Sequence, residues 1–180
     1  MIPVEFFWAT LIALFAIIGM GRGMVKELGA TTILLLSLFA LYVGWGQLGS
    51  RITPLVLGQT SGMQPDWVEA WYYGISITFI AYISYAGVIL KFPLKEFRGL
   101  LRLVFGSVMG LINGYLVVGT IWNALDNADY FWPKLSVVQG GLSEMHSTIV
   151  QYLPLSLTDR TSPFIWLVPG IILLIAKVLK

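Results

Sequence analysis

The sequence predicts an all-α integral membrane protein, a bundle of four to five transmembrane helices. Three observations lead to this prediction: 57% of the 180 residues are hydrophobic, only 11% are charged, and the apolar residues fall into long runs separated by shorter polar stretches. Soluble domains carry about 25% charged residues, so this chain has too little polar surface to face water on all sides. The absence of cysteine excludes disulfides and thiolate chemistry. A net charge of +2 is too small to indicate a nucleic-acid partner, and none is expected.

Residues 1–122 are predicted to form a four-helix transmembrane core. The first apolar run begins almost at the N-terminus, but its leader Met-Ile-Pro-Val-Glu lacks the positive charge of a signal peptide, so a retained helix is expected. A short basic turn then predicts that the first two helices pair in antiparallel fashion. Frequent Gly and Pro predict a loop over 47–67. The predicted helices are 3–21, 28–46, 68–90 and 103–122.

The remaining chain is predicted to hold an outer loop, 123–163, and a fifth membrane helix, 164–180. Within the loop, apolar residues recur at the helical period between 136 and 153, which predicts an amphipathic helix on the membrane surface or on the bundle. The fifth helix would reach only about 24 Å, and Pro169-Gly170 interrupts it, so it either spans thinly, kinks or stays partly re-entrant.

The distribution of charge predicts the orientation. Eight of the eleven Lys and Arg residues fall on the side that holds both short turns and the C-terminus, whereas seven of the nine acids fall on the other side. The positive-inside rule therefore places the N-terminus outside and the C-terminus in the cytoplasm. All seven tryptophans fall at or beyond the outer interface in this arrangement, as expected for a ring with a polar N–H.

A stripe of small residues marks the fourth helix. Gly106, Gly110 and Gly114 recur every fourth residue and therefore share one face, where another helix backbone can approach closely. Two alternatives stay open: the stripe packs internally, or it docks a foreign helix. The predicted helix-packing or partner-docking residues are Gly106, Gly110, Gly114, Asn113, Gly74 and Ser84.

The two short turns on the predicted cytoplasmic side are basic. Arg22 is expected to cap the carbonyl groups that end the first helix. The alternative is a role for these cations with partners or anionic lipids. The residues singled out here are Arg22, Gly23, Lys26, Glu27, Lys95 and Arg98.

Candidate chemistry is sparse, and no catalytic, cofactor or metal site is predicted. His146 is expected to be a solvated surface residue on the amphipathic helix, and Asp126 with Asp129 is expected to be solvated rather than to ligate a hard cation. Proton-coupled transporters bury an ionisable residue at membrane depth, and the predicted spans contain none away from their ends. Asn113 is expected to form interhelical hydrogen bonds rather than to line a pore.

Two blocks resemble the colicin V production protein family, a group of small bacterial inner-membrane proteins. Arg22, Gly23 and Glu27, after an apolar helix, match that family's Arg-Gly-x-x-x-Glu turn, and Glu5 lies where the family carries an early acid. The segment 104–114 is similar to its glycine-spaced fourth helix. The chain departs from the pattern by lacking an Asp-Arg pair before that helix. The resemblance covers about residues 5–122.

The resemblance implies a non-catalytic protein of the bacterial inner membrane with a scaffold or envelope-assembly role. A second hypothesis is an accessory subunit of a large respiratory or photosynthetic membrane complex, docked through outward small-residue faces. A channel or carrier is a third. The expected partners are membrane lipids and other membrane-protein subunits.

Overall fold

The computed structural model describes residues 4–58, 64–87, 90–130 and 144–179. These residues form helices and no strands. The helices are α1 Val4–Arg22, α2 Met24–Leu57, α3 Pro65–Ala86, α4 Leu100–Asn127, α5 Glu144–Val150, α6 Pro154–Arg160 and α7 Phe164–Val178.

Three of these helices, α1, α2 and α4, are long and apolar enough to cross a membrane, judged on the described residues alone. The pair α6–α7 would add a fourth span if its two parts are taken as one, although they meet at a bend of 110°. The helix α3 is not in this set; it contains the acids Asp66 and Glu69 together with several Tyr, Ser and Thr residues, all of which lower its apolar content. It nevertheless turns a row of apolar side chains outward, including Ile75 and Phe79, both 61% exposed. Such surfaces are suited to lipid contact.

The helix α4 lies at the centre of the bundle. It packs against α1 along much of its length and against α2, α3 and α6, whereas α2 also packs against α3 and α7. The main apolar core lies between α2, α3 and α4, where Leu34, Ile77 and Leu116 are almost completely buried. The expectation that α1 and α2 form an antiparallel pair is wrong, because α1 makes few contacts with α2 and lies on α4 instead. Small residues on α1 and α4 allow these two backbones to approach closely.

The predicted loop over 47–67 is also wrong in its first half, since α2 continues to Leu57. Glycine and proline favour turns in water, yet α2 continues through both Gly49 and Pro54. Gly49 packs directly under the Trp45 ring, and a Cβ added to this glycine would lie 3.0 Å from the nearest ring carbon. Pro54 stands one turn from the helix end, where its missing N–H removes a single hydrogen bond.

The predicted outer loop, 123–163, can be compared with the structure only over its described residues, 123–130 and 144–163. The predicted amphipathic helix 136–153 lies outside the described residues over 136–143, and its second half contains α5. The chain then turns at Leu153 and forms α6, a helix that lies within the predicted loop. Pro154 begins α6 at a position where its fixed φ favours a first helical turn.

Candidate functional site: a buried polar cluster between four helices

A carboxylate is buried among the apolar helices. Glu27 lies in the first turn of α2 and its side chain is completely inaccessible to solvent. Arg22, at the end of α1, places its Nε 3.1 Å from Glu27 Oε1. Glu27 Oε1 accepts no hydrogen bond from the described residues, so charge attraction holds this contact. The pair neutralises a group that would otherwise be very costly to remove from water.

The amide of Asn113 binds the same carboxylate from α4. Its Nδ2 donates to Glu27 Oε2 at 2.8 Å and to the Glu27 carbonyl at 3.2 Å. Its Oδ1 accepts a hydrogen bond of 2.7 Å from Thr31, one turn further along α2. Asn113 is completely buried and half-way along the 28 residues of α4, so every polar atom of its side chain is satisfied between α2 and α4.

The third helix completes this arrangement. The Tyr85 hydroxyl donates to Glu27 Oε2 at 2.6 Å, and the Arg22 guanidinium stacks over the Tyr85 ring at 4.1 Å from its centroid. The guanidinium nitrogens also donate long hydrogen bonds of 3.4 Å to the carbonyls of Ser84 and Tyr85. We call these residues the Glu27 cluster: Arg22, Glu27, Thr31, Ser84, Tyr85 and Asn113.

Two expectations about this region are corrected here. Arg22 does not cap the end of its own helix, as the sequence predicts, but binds carbonyl groups at the end of α3. Glu27 does not lie in a polar turn outside the spans. Because α2 begins at Met24, four residues earlier than predicted, Glu27 is helical and reaches the level of Asn113. An ionisable residue is therefore buried among the helices, although it lies in the first turn of its own span, as the expectation for ionisable residues allows.

Gly23 explains how Arg22 and Glu27 meet. It alone separates α1 from α2, and its backbone has φ 85° and ψ 159°, a conformation that is essentially restricted to glycine. A Cβ at this position would also collide with the Glu96 carboxylate. The Arg-Gly-x-x-x-Glu turn is thus one structural unit, in which the glycine makes the sharp reversal and the two charged residues pair across it.

The glycine stripe of α4 faces α1 within the chain. A Cβ added at Gly106 or Gly110 would meet backbone atoms of α1, and at Gly114 it would meet both the Phe15 side chain and the Ile12 backbone. Gly19 is the reciprocal small residue on α1, because its own Cβ would lie 2.9 Å from the Gly110 Cα. Of the two alternatives for the stripe, the structure shows internal packing.

The other predicted packing residues are placed differently. Gly74 lies on the outward side of α3, and a Cβ there would meet nothing within 4 Å. It lines an apolar groove of about 580 Å³ between α3 and α4, with Thr78 and Ile121. Ser84 is buried and donates to the Ile80 carbonyl of its own helix.

The predicted basic residues separate into two groups. Arg22 belongs to the Glu27 cluster, whereas Lys26, Lys95 and Arg98 have exposed side chains. Lys95 and Arg98 lie in the segment between α3 and α4, where they line a second cavity with Arg102.

A second buried cluster lies at the opposite end of α1 and α4. His146 on α5 is only 3% exposed, so the expectation of a solvated histidine is wrong. Its Nε2 lies 2.7 Å from Asp126 Oδ1, and its Nδ1 lies 4.0 Å from Glu5 Oε1. Asp126 is therefore a docking residue for α5, whereas Asp129 is exposed as expected.

Aromatic rings enclose this histidine. Trp8 of α1 stacks on Trp122 of α4 at 5.9 Å, with 14° between their planes, and Trp122 lies 5.8 Å from the His146 ring. The Trp122 indole donates to the Tyr130 hydroxyl at 2.9 Å. Burial raises the pKa of Tyr130, which keeps that hydroxyl protonated. The cluster ties α5 to the ends of α1 and α4.

Sequence reasoning missed Thr31, Tyr85 and Gly19 as members of these contacts. Thr31 follows Glu27 by four residues, so an earlier start for α2 would have revealed their shared helix face. Gly19 follows Ala16 by three residues, so the two small residues share one helix face, as the glycines of α4 do at a spacing of four. Tyr85 had no such pattern, because only the packing of α3 brings it to α2.

Comparison with protein-family models, with curated proteins and with solved structures gives no match to this chain. The resemblance to the colicin V production family therefore stays a prediction. In the described ranges, no three His, Asp or Glu side chains converge as metal ligands. What the Glu27 cluster does chemically is to join four helices through one neutralised carboxylate.

Proposed function

We propose that this chain is a non-catalytic scaffold protein of the bacterial inner membrane that serves envelope assembly. The observation that carries the proposal is the use of Glu27: side chains from α1, α3 and α4 bind the carboxylate that α2 supplies. A polar group bound from every side braces the bundle in one arrangement, as a scaffold requires. The Arg22-Gly23-Glu27 unit also supports the family resemblance, because its three residues act together.

The test separates bracing from transport with one substitution. Glu27→Gln keeps the shape of the side chain but removes its charge, so a bracing role predicts lower stability in detergent. It also predicts that liposomes containing the wild-type protein and liposomes containing the Glu27→Gln variant show the same background flux of protons and cations. A matched control is Thr78→Val, since the Thr78 hydroxyl is bonded only to the Gly74 carbonyl of its own helix among the described residues. Wild-type flux above background that Glu27→Gln abolishes would instead establish a carrier, the alternative that a buried ionisable residue favours.

The second candidate is an accessory subunit of a larger membrane complex, and the outward position of Gly74 favours it. The groove between α3 and α4 is apolar and unfilled by the described part of this chain. Gly74→Leu should therefore leave the isolated protein folded but remove partners recovered after gentle solubilisation of native membranes. Recovery of the wild-type chain alone, at the mass of a monomer or homo-oligomer, would exclude this candidate.

A further inference from the structure

A cavity of about 810 Å³ lies where the segment between α3 and α4 meets the start of α4. We call it the basic cavity. Three cations and one acid line it, so its net charge is positive. Its lining residues are Lys95, Glu96, Phe97, Arg98, Gly99 and Arg102.

The cations of the basic cavity outnumber its one carboxylate, Glu96, by three to one. Among the described residues, no ion pair joins Lys95, Arg98 or Arg102 to a carboxylate, in contrast to Arg22. Arg102 is fixed in place by a hydrogen bond of 3.1 Å from its guanidinium to the Gly21 carbonyl. Its Nε is buried and has no hydrogen-bond partner in this part of the chain. The charges of Lys95, Arg98 and Arg102 are balanced by no ion pair of the described residues, and an anion would balance them.

The start of α4 adds to the attraction for an anion. Gly99 precedes the helix with φ 60° and has no side chain to cap the first N–H groups. These groups carry the positive end of the helix dipole, which favours phosphate and similar anions. The hydrogen-bond donors, the positive charge and the helix end therefore all favour the binding of a phosphate group.

The surface beside the cavity distinguishes a phospholipid headgroup from a free phosphate ion. Directly after Gly99, α4 exposes a continuous apolar face on which Leu100 is 75% exposed and Leu101 54% exposed. Phe97 of the cavity wall stacks on Phe105 of this face, with 4.7 Å between the ring centroids. A free phosphate would use only the charged part of this surface, whereas a phospholipid would use both.

We propose that the basic cavity binds the headgroup phosphate of an anionic phospholipid, whose acyl chains lie along the exposed apolar face of α4. Lys95 and Arg98 supply charge at the headgroup, and the anchored Arg102 adds a third positive charge beside them. Glu96 disfavours anions in general, so the lipid chains provide the selectivity over small anions.

The experiment uses native mass spectrometry of the full-length protein in detergent. It measures both the lipid that stays bound during purification and the lipid that binds when it is added. Phosphatidylglycerol is titrated against phosphatidylcholine, and inorganic phosphate is added as a competitor. The test variant is Lys95→Gln with Arg98→Gln. The charge-matched control is Lys26→Gln with Lys91→Gln, which removes two exposed cations from the same end of the bundle but outside the cavity.

We expect wild type and the control to bind phosphatidylglycerol in preference to phosphatidylcholine, and the test variant to bind it about 30-fold more weakly. The exchange Lys95→Arg with Arg98→Lys should restore binding, which shows that the loss reflects charge and not misfolding. Equal losses in the control and test variants would overturn the proposal, because they indicate only general surface charge. Equal binding of both lipids, or complete displacement by millimolar phosphate, would overturn it as well.

Discussion

The closest helix contact in the bundle, between α1 and α4, makes a sharp prediction for Gly110. A Cβ at this position would lie 2.9 Å from the Phe15 carbonyl carbon and 3.1 Å from the Ala16 Cα. Both are backbone atoms, so no side chain can rotate away and α1 as a whole must move. Gly74→Ala is the matched control, because it adds the same methyl group to a neighbouring helix where nothing lies within 4 Å.

The magnitude follows from two opposing effects. Forcing an extra carbon into a close-packed contact costs about 1–3 kcal/mol. Replacing glycine by alanine in a helix contributes up to about 1 kcal/mol of stability. We therefore expect Gly110→Ala to lower the free energy of unfolding by about 1–2 kcal/mol, and Gly110→Leu to lower it further. Gly74→Ala should be neutral or slightly stabilising.

The measurement is reversible unfolding in mixed micelles, followed by circular dichroism as the fraction of denaturing detergent rises. The opposite signs of the two alanine variants are the decisive result, since both changes have the same chemistry and helix propensity. If Gly110→Ala is as stable as wild type, or if Gly74→Ala is the more harmful change, the close α1–α4 contact is refuted.

Three further changes test the buried clusters and the turn. Asn113→Ala should cost about 1–3 kcal/mol because it leaves a buried carboxylate without its amide donor, whereas Thr78→Val should stay within about 0.5 kcal/mol in the same unfolding assay. Gly23→Ala should lower the free energy of unfolding by about 1–3 kcal/mol or more, from backbone strain alone. Gly21→Ala should not lower it, because a Cβ at Gly21 meets nothing within 4 Å. Equal stability of the two variants would contradict the assigned turn. His146→Leu should release α5, which would be measured as about tenfold faster amide hydrogen exchange over 144–150; unchanged exchange would show that the histidine does not hold this helix.

The polar cluster shows where sequence reasoning reached its limit. Asn113 is predicted to bond between helices, and it does so, because a buried amide inside an apolar helix has few other ways to satisfy its donors. Its partner could not be deduced, since the predicted start of α2 lies four residues too late. The same error hid the burial of Glu27 and with it the feature on which the proposed function depends.

The outer end of the bundle shows a different limit. His146 stands among polar residues, and its sequence neighbours therefore predict exposure. Its burial depends on Trp8 and Trp122, which come from two other helices and stack on each other. Local pattern contains no information about such a contact, because it arises only when distant segments pack.

The sequence by itself determined the class of protein, because its long apolar runs contain few charges. In an apolar environment a helix satisfies its backbone N–H and C=O groups within the same segment, so its formation needs no tertiary information. It also marked the glycine face of α4. The tertiary structure alone decided that this face meets α1, that Gly74 stays outward, and that Arg22 and Glu27 close a polar cluster with Tyr85. Helix formation is a local property of the chain, whereas the choice of neighbour depends on how side chains of different helices fit and neutralise one another.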